Sequence, residues 1–328
     1  MINSKLNAIL FAAIFLSACG GGSGDQNGIG TKETPSSTSD EVITQVSSNK
    51  LGAWLWYIDE ASLVKGDHES MANYLAEMGV KRVFIKIHDI NYNYQANAIS
   101  FNGDSVSCGV WQDACEPANL QFYKDKGIEP WAWTYNDIGE TQSQTDMLYA
   151  AAKVGYSGYV MDIEVEFDGK RDALETLMLA HRDKLNQAIN EGLIDESFLL
   201  GVTTWGNPSD HSMAIDIIDG YADFHMPQTY IEKWGTQNDI KGTIAQGDCE
   251  YKNLGATKPI WHIVSHEDAI LDSDKLDEFI EYAGPNASIW RIHTAELATD
   301  IEQVNWQQLN YKKNDCSQWS SKADAAIS

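Results

Sequence analysis

Asp162, Glu164 and Glu166 fall at alternate positions in the stretch GYVMDIEVE, residues 158–166. Ile, Val and Tyr in this run favour strand over helix, and successive side chains of a strand point to opposite faces. The spacing therefore puts the three carboxylates on one face of a strand and Ile163 and Val165 on the other. Like charges held a few ångströms apart destabilise a fold unless a proton or a partner neutralises one of them. A carboxyl kept protonated near neutral pH can act as a general acid. The same pattern also describes an exposed strand end or a structural ion-pair cluster, so the surroundings must decide.

Those surroundings are regular. Eight strand candidates, at 51–58, 82–88, 128–135, 158–166, 198–205, 222–230, 259–266 and 287–294, are separated mostly by helical stretches. The helices are expected at 62–78, 119–126, 142–154, 170–190, 211–218, within 239–253, at 273–282 and at 304–309. Gly79 and Gly127 stand where helices would end. A polar insertion at 89–117 interrupts the alternation. Strands alternating with helices imply parallel pairing, and eight such units in about 260 residues match the size of an α/β (β/α)8 barrel. The rival is a doubly wound open sheet, which usually carries a Gly-rich phosphate turn after its first strand. Here the first strand runs into DEASLVKG, and neither GxGxxG nor GxxxxGK[ST] occurs.

In such a barrel the active site lies at the C-terminal strand ends. Those ends are polar and aromatic: Trp54 and Trp56, Lys86 and His88, Trp133 and Tyr135, then the acids, then Thr204 and Trp205, Gln228 and Tyr230, His266, and Arg291 with His293. Lys86 also reads as an interior cation paired to Asp162, and His262 and His293 as satisfied core or surface histidines. Any one Trp reads as core; the set, converging on one mouth, reads as a site for a polar ligand.

The segment 158–164 resembles the fourth-strand motif of barrel glycosidases: the end of the DxxDxDxE motif of family 18 chitinases and the shorter DxE of family 25 lysozymes. Met226-Pro227-Gln228-Thr229-Tyr230 is similar to the sixth-strand segment of those folds, where a Tyr lines the sugar site. The first two Asp of the chitinase motif are absent here. The resemblance implies a glycoside hydrolase with Glu164 as general acid and Asp162 sharing its proton. It leaves two options for the second actor: a substrate N-acetyl group positioned by Asp162 and Tyr230, or Glu166 or another acid whose separation from Glu164 sets retention or inversion. Trp54, Trp56, Trp133 and Trp205 would stack on sugar faces, with Lys86, His88, Tyr135, Gln228, His266 and Arg291 completing the expected substrate-binding set. The partner is then a polysaccharide or oligosaccharide, with no cofactor or metal. A catalytically inactive glycan-binding protein remains an alternative. A lyase is a third, disfavoured because uronate substrates usually want basic residues.

Composition narrows the class further. The net charge of −25 opposes nucleic acid and opposes anionic membrane bound through a basic surface. It is compatible with neutral or cationic substrates. Hydrophobic content of 43% supports a large core, and eleven Trp is a high count.

The N-terminus has Lys5, an apolar ILFAAIFL and then Leu16-Ser17-Ala18-Cys19. This reads as a secretion signal, too short in its core for an ordinary membrane span. It resembles the bacterial lipoprotein signal, which implies removal of residues 1–18 and lipidation of Cys19. Gly20, where Asp would imply inner-membrane retention, points to an outer-membrane anchor in the cell envelope. The Gly/Ser/Thr-rich residues 19–48 read as a flexible tether, leaving 49–328 as the folded domain. Cys108, Cys115, Cys249 and Cys316 then suggest two disulfides, with three connectivities open. The short Cys108–Cys115 spacing favours a local staple, and Cys249–Cys316 would tie down the C-terminal tail. There is no CxxC and no nearby His pair for a metal site.

Overall fold

The computed structural model describes residues 43–56, 58, 67–89, 97–101, 104–108, 114–265, 271–292 and 298–312. The signal segment, Cys19, the tether up to residue 42, His266, His293 and Cys316 lie outside them. All described residues belong to the unit Glu41–Ser328.

The chain runs through β1 (Ile43–Gln45), β2 (Gly52–Leu55), α1 (His68–Met78) and β3 (Arg82–Asp89). A hairpin of β4 (Asn97–Phe101) and β5 (Asp104–Cys108) occupies the insertion. Then come α2 (Pro117–Asp125), β6 (Glu129–Tyr135), α3 (Thr141–Val154) and β7 (Gly158–Asp162). A 3-10 turn at Val165–Phe167 leads into α4 (Arg171–Asn190), β8 (Leu199–Trp205), α5 (Ile215–Tyr221) and β9 (Phe224–Gln228). The chain ends with α6 (Ile240–Asn253), β10 (Ile263–Val264), α7 (Ser273–Ala283), β11 (Ser288–Ile289), α8 (Ala298–Gln303) and β12 (Asn310–Lys312).

Among the described residues, eight strands close a ring in the order β2-β3-β6-β7-β8-β9-β10-β11, every neighbour parallel. This is the (β/α)8 barrel expected from the alternation. Gly79 caps α1 in the left-handed region at φ 97°, donating back to Leu75 and Ala76 carbonyls. Ile43–Gln45, within the stretch read as tether, pairs antiparallel with β12.

Three sequence expectations shift. The seventh and eighth strands shorten to Ile263–Val264 and Ser288–Ile289. The fifth helix lies at Ile215–Tyr221, because residues 207–213 fold into successive turns closed by the Met213 N–H on the Pro208 carbonyl. The last helix is Ala298–Gln303 rather than 304–309: Trp306 is buried there, its indole N–H on the Ile301 carbonyl at 3.0 Å, and Asn49 donates to the carbonyls of Trp306 and Gln308.

Strand alternation divides the core. One cluster joins the outward strand faces to the helices. The other fills the ring with Trp54, Phe84, Trp131, Trp133, Val160, Phe224, Met226, Ile263 and Trp290. Such a load of large rings fits because three strands carry an inward glycine near their start. A Cβ on Gly52 would sit 2.7 Å from Phe84, on Gly158 2.4 Å from Trp131, and on Gly201 2.2 Å from Phe224. At the N-terminal mouth Arg82 lies between the rings of Trp131 and Trp261, at 4.6 and 4.7 Å, and pairs with Glu129 at 3.2 Å.

Gly201→Ala is expected to destabilise the fold by about 1–3 kcal/mol, since Phe224 must move and is itself stacked on Trp261 at 3.8 Å. Urea unfolding measures it: the midpoint falls, and Phe224→Leu in the same chain recovers part of the loss. An unchanged midpoint would refute the packing account.

Candidate active site

β7 carries the acidic motif only as far as Asp162. The Asp162 carbonyl accepts the Asn136 N–H at 3.0 Å and the Ile163 N–H reaches Thr203 at 2.9 Å. There the ladder stops: the Phe167 N–H returns to the Glu164 carbonyl at 3.0 Å and closes the 3-10 turn. Phe167 is buried by this turn, whereas Val165 is left 58% exposed. The expected single strand through Glu166 is thus corrected. Asp162 and Glu164 stay together, but Glu166 turns away and its two oxygens accept from the Tyr135 hydroxyl at 3.0 and 2.9 Å.

The acid pair lies at the floor of a cavity of about 350 Å³ at the C-terminal strand ends. Gln228, at the end of β9, donates its amide to Asp162 at 3.2 Å and to Glu164 at 2.9 Å. Burial raises the Asp162 carboxyl well above its ordinary range; the neighbouring Glu164 charge adds to this, and Lys86 opposes it. Burial also raises Glu164, against the Gln228 hydrogen bond and with the Glu166 charge in support. Two carboxyls so placed hold one proton between them. Tyr135 is pushed up by burial and by the Glu164 charge, so its hydroxyl stays a donor.

Lys86 does not pair with Asp162. It is buried, pairs with Asp89 at 2.7 Å, and packs its ammonium over the rings of Trp56 and Trp133 at 4.1 and 4.7 Å. Burial draws its pKa down, opposed by Asp89, Asp162 and Glu164. His88 is likewise lowered by burial. Neither Lys86, His88 nor Arg291 lines the cavity. Arg291 sits at φ 54° with its guanidinium 5.4 Å from the Trp56 ring.

The expected tryptophans divide by role. Trp56 and Trp205 line the cavity with partly exposed rings. Trp54 touches it but is held in the core, stacked on Phe84 at 4.4 Å with its indole N–H on Ser288. Trp133 is corrected to a packing role: it is 0% exposed, does not line the cavity, and donates to the Leu55 carbonyl at 3.1 Å. Tyr135, Gln228 and Tyr230 line the cavity as expected.

Residues not singled out in the sequence complete the wall: Asn207, His211, Lys233, Trp234 and Trp290. His211 stacks on Trp205 at 4.0 Å and 13°, and Asp168 fixes both, accepting from Trp205 Nε1 and bonding His211 Nδ1 at 2.9 Å each. Strand alternation through 287–292 could have found Trp290. His211 and Trp234 are placed by loops, which leave no periodic signal. Among the described residues no cluster of three or more His, Cys, Asp or Glu forms a metal-binding group.

No protein-family model matches the chain, and no curated protein matches it. Among solved structures it is similar to a xylanase-A-amylase inhibitor protein, XAIP-III, with TM-score 0.50 and 10% identity, over 79% of this chain and 99% of that one. It is also similar to a GH18 chitinase from Pseudoalteromonas aurantia, with TM-score 0.49 and 10% identity, over 77% of this chain and 100% of that one. A class V chitinase from Nicotiana tobaccum gives TM-score 0.48 and 14% identity, and the chain spans 66% of that protein's length, with 66% of its own covered. The closed parallel ring and the likeness to XAIP-III define the fold as a (β/α)8 barrel.

The raised Asp162 carboxyl has a consequence for stability. The folded state binds this proton more tightly than the unfolded chain, so stability falls as pH rises from the ordinary Asp value, 3.8, through the raised folded one. Asp162→Asn keeps an acceptor for Gln228 and removes the ionisation. Thermal unfolding is expected to show the variant gaining on the parent at pH 8 and matching it near pH 4; equal gaps at both would refute the shift.

Proposed function

We propose that the protein is a glycoside hydrolase acting on a polysaccharide or oligosaccharide of N-acetylated amino sugars. One observation carries the reading: a proton-sharing carboxyl pair, Asp162 buried and Glu164 half-buried, bridged by Gln228 at the floor of an aromatic-walled cavity. Glu164 is the general acid. Its proton passes to the glycosidic oxygen as the bond from that oxygen to the anomeric carbon breaks.

For the second actor we favour the substrate itself. Asp162 and Glu164 are the carboxylates lining the cavity among the described residues. Asp162 is buried and tied to Glu164 by the proton they share, so it is not free to act as a nucleophile, and Glu166 is engaged by Tyr135. A retaining enzyme with its own carboxylate nucleophile needs an ionised partner about 5–5.5 Å from the acid. The substrate acetamido oxygen therefore attacks the anomeric carbon, with Asp162 and Tyr230 positioning it. Water, deprotonated by Glu164, then attacks the same carbon, restoring the acetamido group and retaining configuration. Trp56, Trp205 and Trp234 offer ring faces to flanking sugars.

A second reading keeps the same aromatic-walled cavity as a site that binds glycan without cleaving it, since one fold hosts both uses. The export features belong to the proposal as well. Cys19 carries the lipid, and residues after it tether the barrel to the outer membrane. Cys115 and Cys249 are buried and neither is a free thiol; we pair them with Cys108 and Cys316 respectively.

Glu164→Gln is expected to lower hydrolysis of an N-acetylglucosamine oligomer by about 10²–10⁴-fold, measured as new reducing ends, while calorimetric binding stays within a few-fold. Full activity in the variant overturns the assignment of the acid. A parent protein that binds the oligomer and releases no ends is a binder. For the anchor, Cys19→Ala is expected to move the protein from the detergent phase to the aqueous phase in a phase-separation assay; unchanged partitioning refutes lipidation.

A further inference from the structure

We infer that Thr229, His262 and Asp248 are positioning residues: a buried hydrogen-bond chain that runs from α6 to the end of β9 and holds Gln228 against the acid pair. The inference rests on the reading of Asp162 and Glu164 as the reactive pair.

Thr229 follows Gln228 directly. At this point the β9 ladder gives way to turns: the Thr229 N–H donates to Ile263 at 2.8 Å, and the next N–H groups return to Gln228 and Thr229 at 3.0 Å. The outward face still needs an anchor, or the Gln228 amide is free to swing. Thr229 Oγ1 lies 2.9 Å from His262 Nδ1, and His262 Nε2 lies 3.0 Å from Asp248 Oδ1. A carboxylate only accepts, so Nε2 donates to Asp248, which leaves Nδ1 to meet the Thr229 hydroxyl.

A hydroxyl, an imidazole and a carboxylate in series also describe an activated nucleophile. Burial excludes that use here: Thr229 is 0% and His262 1% exposed, and neither lines the cavity. The chain acts instead through the backbone it fixes. α6 braces the neighbouring strand too, since the Tyr251 hydroxyl donates to the Trp205 carbonyl at 2.9 Å. Gly206 keeps the two strand ends in register, because a Cβ there would come 2.6 Å from the Gln228 carbonyl oxygen. α6 lies in contact with both at Gly247, whose Cβ position is 3.4 Å from the Gly206 carbonyl and 3.5 Å from His262. One helix thus sets Trp205, Thr229 and His262 together, and through Thr229 the amide that bridges the acids.

The Gln228 hydrogen bond pulls the Glu164 carboxyl down, while Asp162, Glu166 and Lys233 also act on it and are untouched by changes at Thr229. Carboxyl ¹³C NMR titration of Glu164 reads the bridge whether or not the protein hydrolyses anything. With Thr229→Val the Glu164 midpoint is expected to move to higher pH; with Thr229→Ser, which keeps the hydroxyl, it is expected to stay. His262→Asn is the second variant and is expected to follow Thr229→Val. Where the parent cleaves an N-acetylglucosamine tetramer, Thr229→Val is expected to lower kcat about tenfold with KM nearly unchanged. Folded Thr229→Val and His262→Asn proteins with the parental Glu164 midpoint overturn the proposal, even if their melting temperatures fall. A parent that titrates as expected but cleaves no glycan sinks the hydrolase reading alone.

Discussion

Two carboxyls stand side by side in a place with room for one negative charge. That constraint organises the top of the barrel. Asp162 is buried by the last rung of β7, and Glu164 is half-buried by the turn that follows it. Gln228 supplies both with a donor, which steadies the one negative charge they carry. The nearest cation is kept from neutralising the pair outright. Lys86 spends its charge on Asp89 and on two indole faces, so it tempers Asp162 without ionising it. A direct Lys86–Asp162 bridge would hold Asp162 as an anion, and Glu164 would lose the partner that shares its proton.

The tryptophan-rich interior serves the same end by a different route. A barrel is a packed core, filled in layers by inward side chains. Here glycines on β2, β7 and β8 vacate one layer, and Phe84, Trp131 and Phe224 occupy the space. The rings above, Trp54, Trp133 and Trp290, pack edge to face at 5.5–5.8 Å and seal the cavity floor against water from below. A dry floor is what raises the carboxyl pair. The high Trp count therefore reports two jobs at once: rings that make the site's dielectric, and rings that face a ligand.

The barrel was legible because parallel βα units repeat a simple pattern, and strand ends follow from it. The site was legible in part. Asp162, Glu164, Gln228 and Tyr230 sit on two strand ends whose alternation survives to the cavity. Glu166 was misplaced because alternation carries no notice of its own end; burying Phe167 ends it, in a turn that leads into α4. Trp133 was misread because its ring is interior while its sequence position is at a strand end. Trp290 was passed over beside Arg291, whose left-handed backbone breaks the strand just where the expected alternation ran on. His211 was assigned to a helix, but its loop of turns lays it on Trp205 instead. The Asp248–His262–Thr229 chain joins three elements that no local pattern relates.

Fold alone does not separate an enzyme from a binder, since one barrel hosts both. The energetics of the floor do bear on it. A cavity that only held sugar could meet Gln228 and the ligand with amides, which hydrogen-bond equally well and carry no ionisation. Carboxyls at these two positions make the folded state less stable as the pH rises, because one must stay protonated far above its ordinary range. A binder has one use for the pair, since the single charge it carries grips a hydroxyl more firmly than an amide does. An acid has a second, because a raised carboxyl can give its proton away near neutral pH. The choice of Asp162 and Glu164 over their amides is therefore the physical ground on which the proposed chemistry rests.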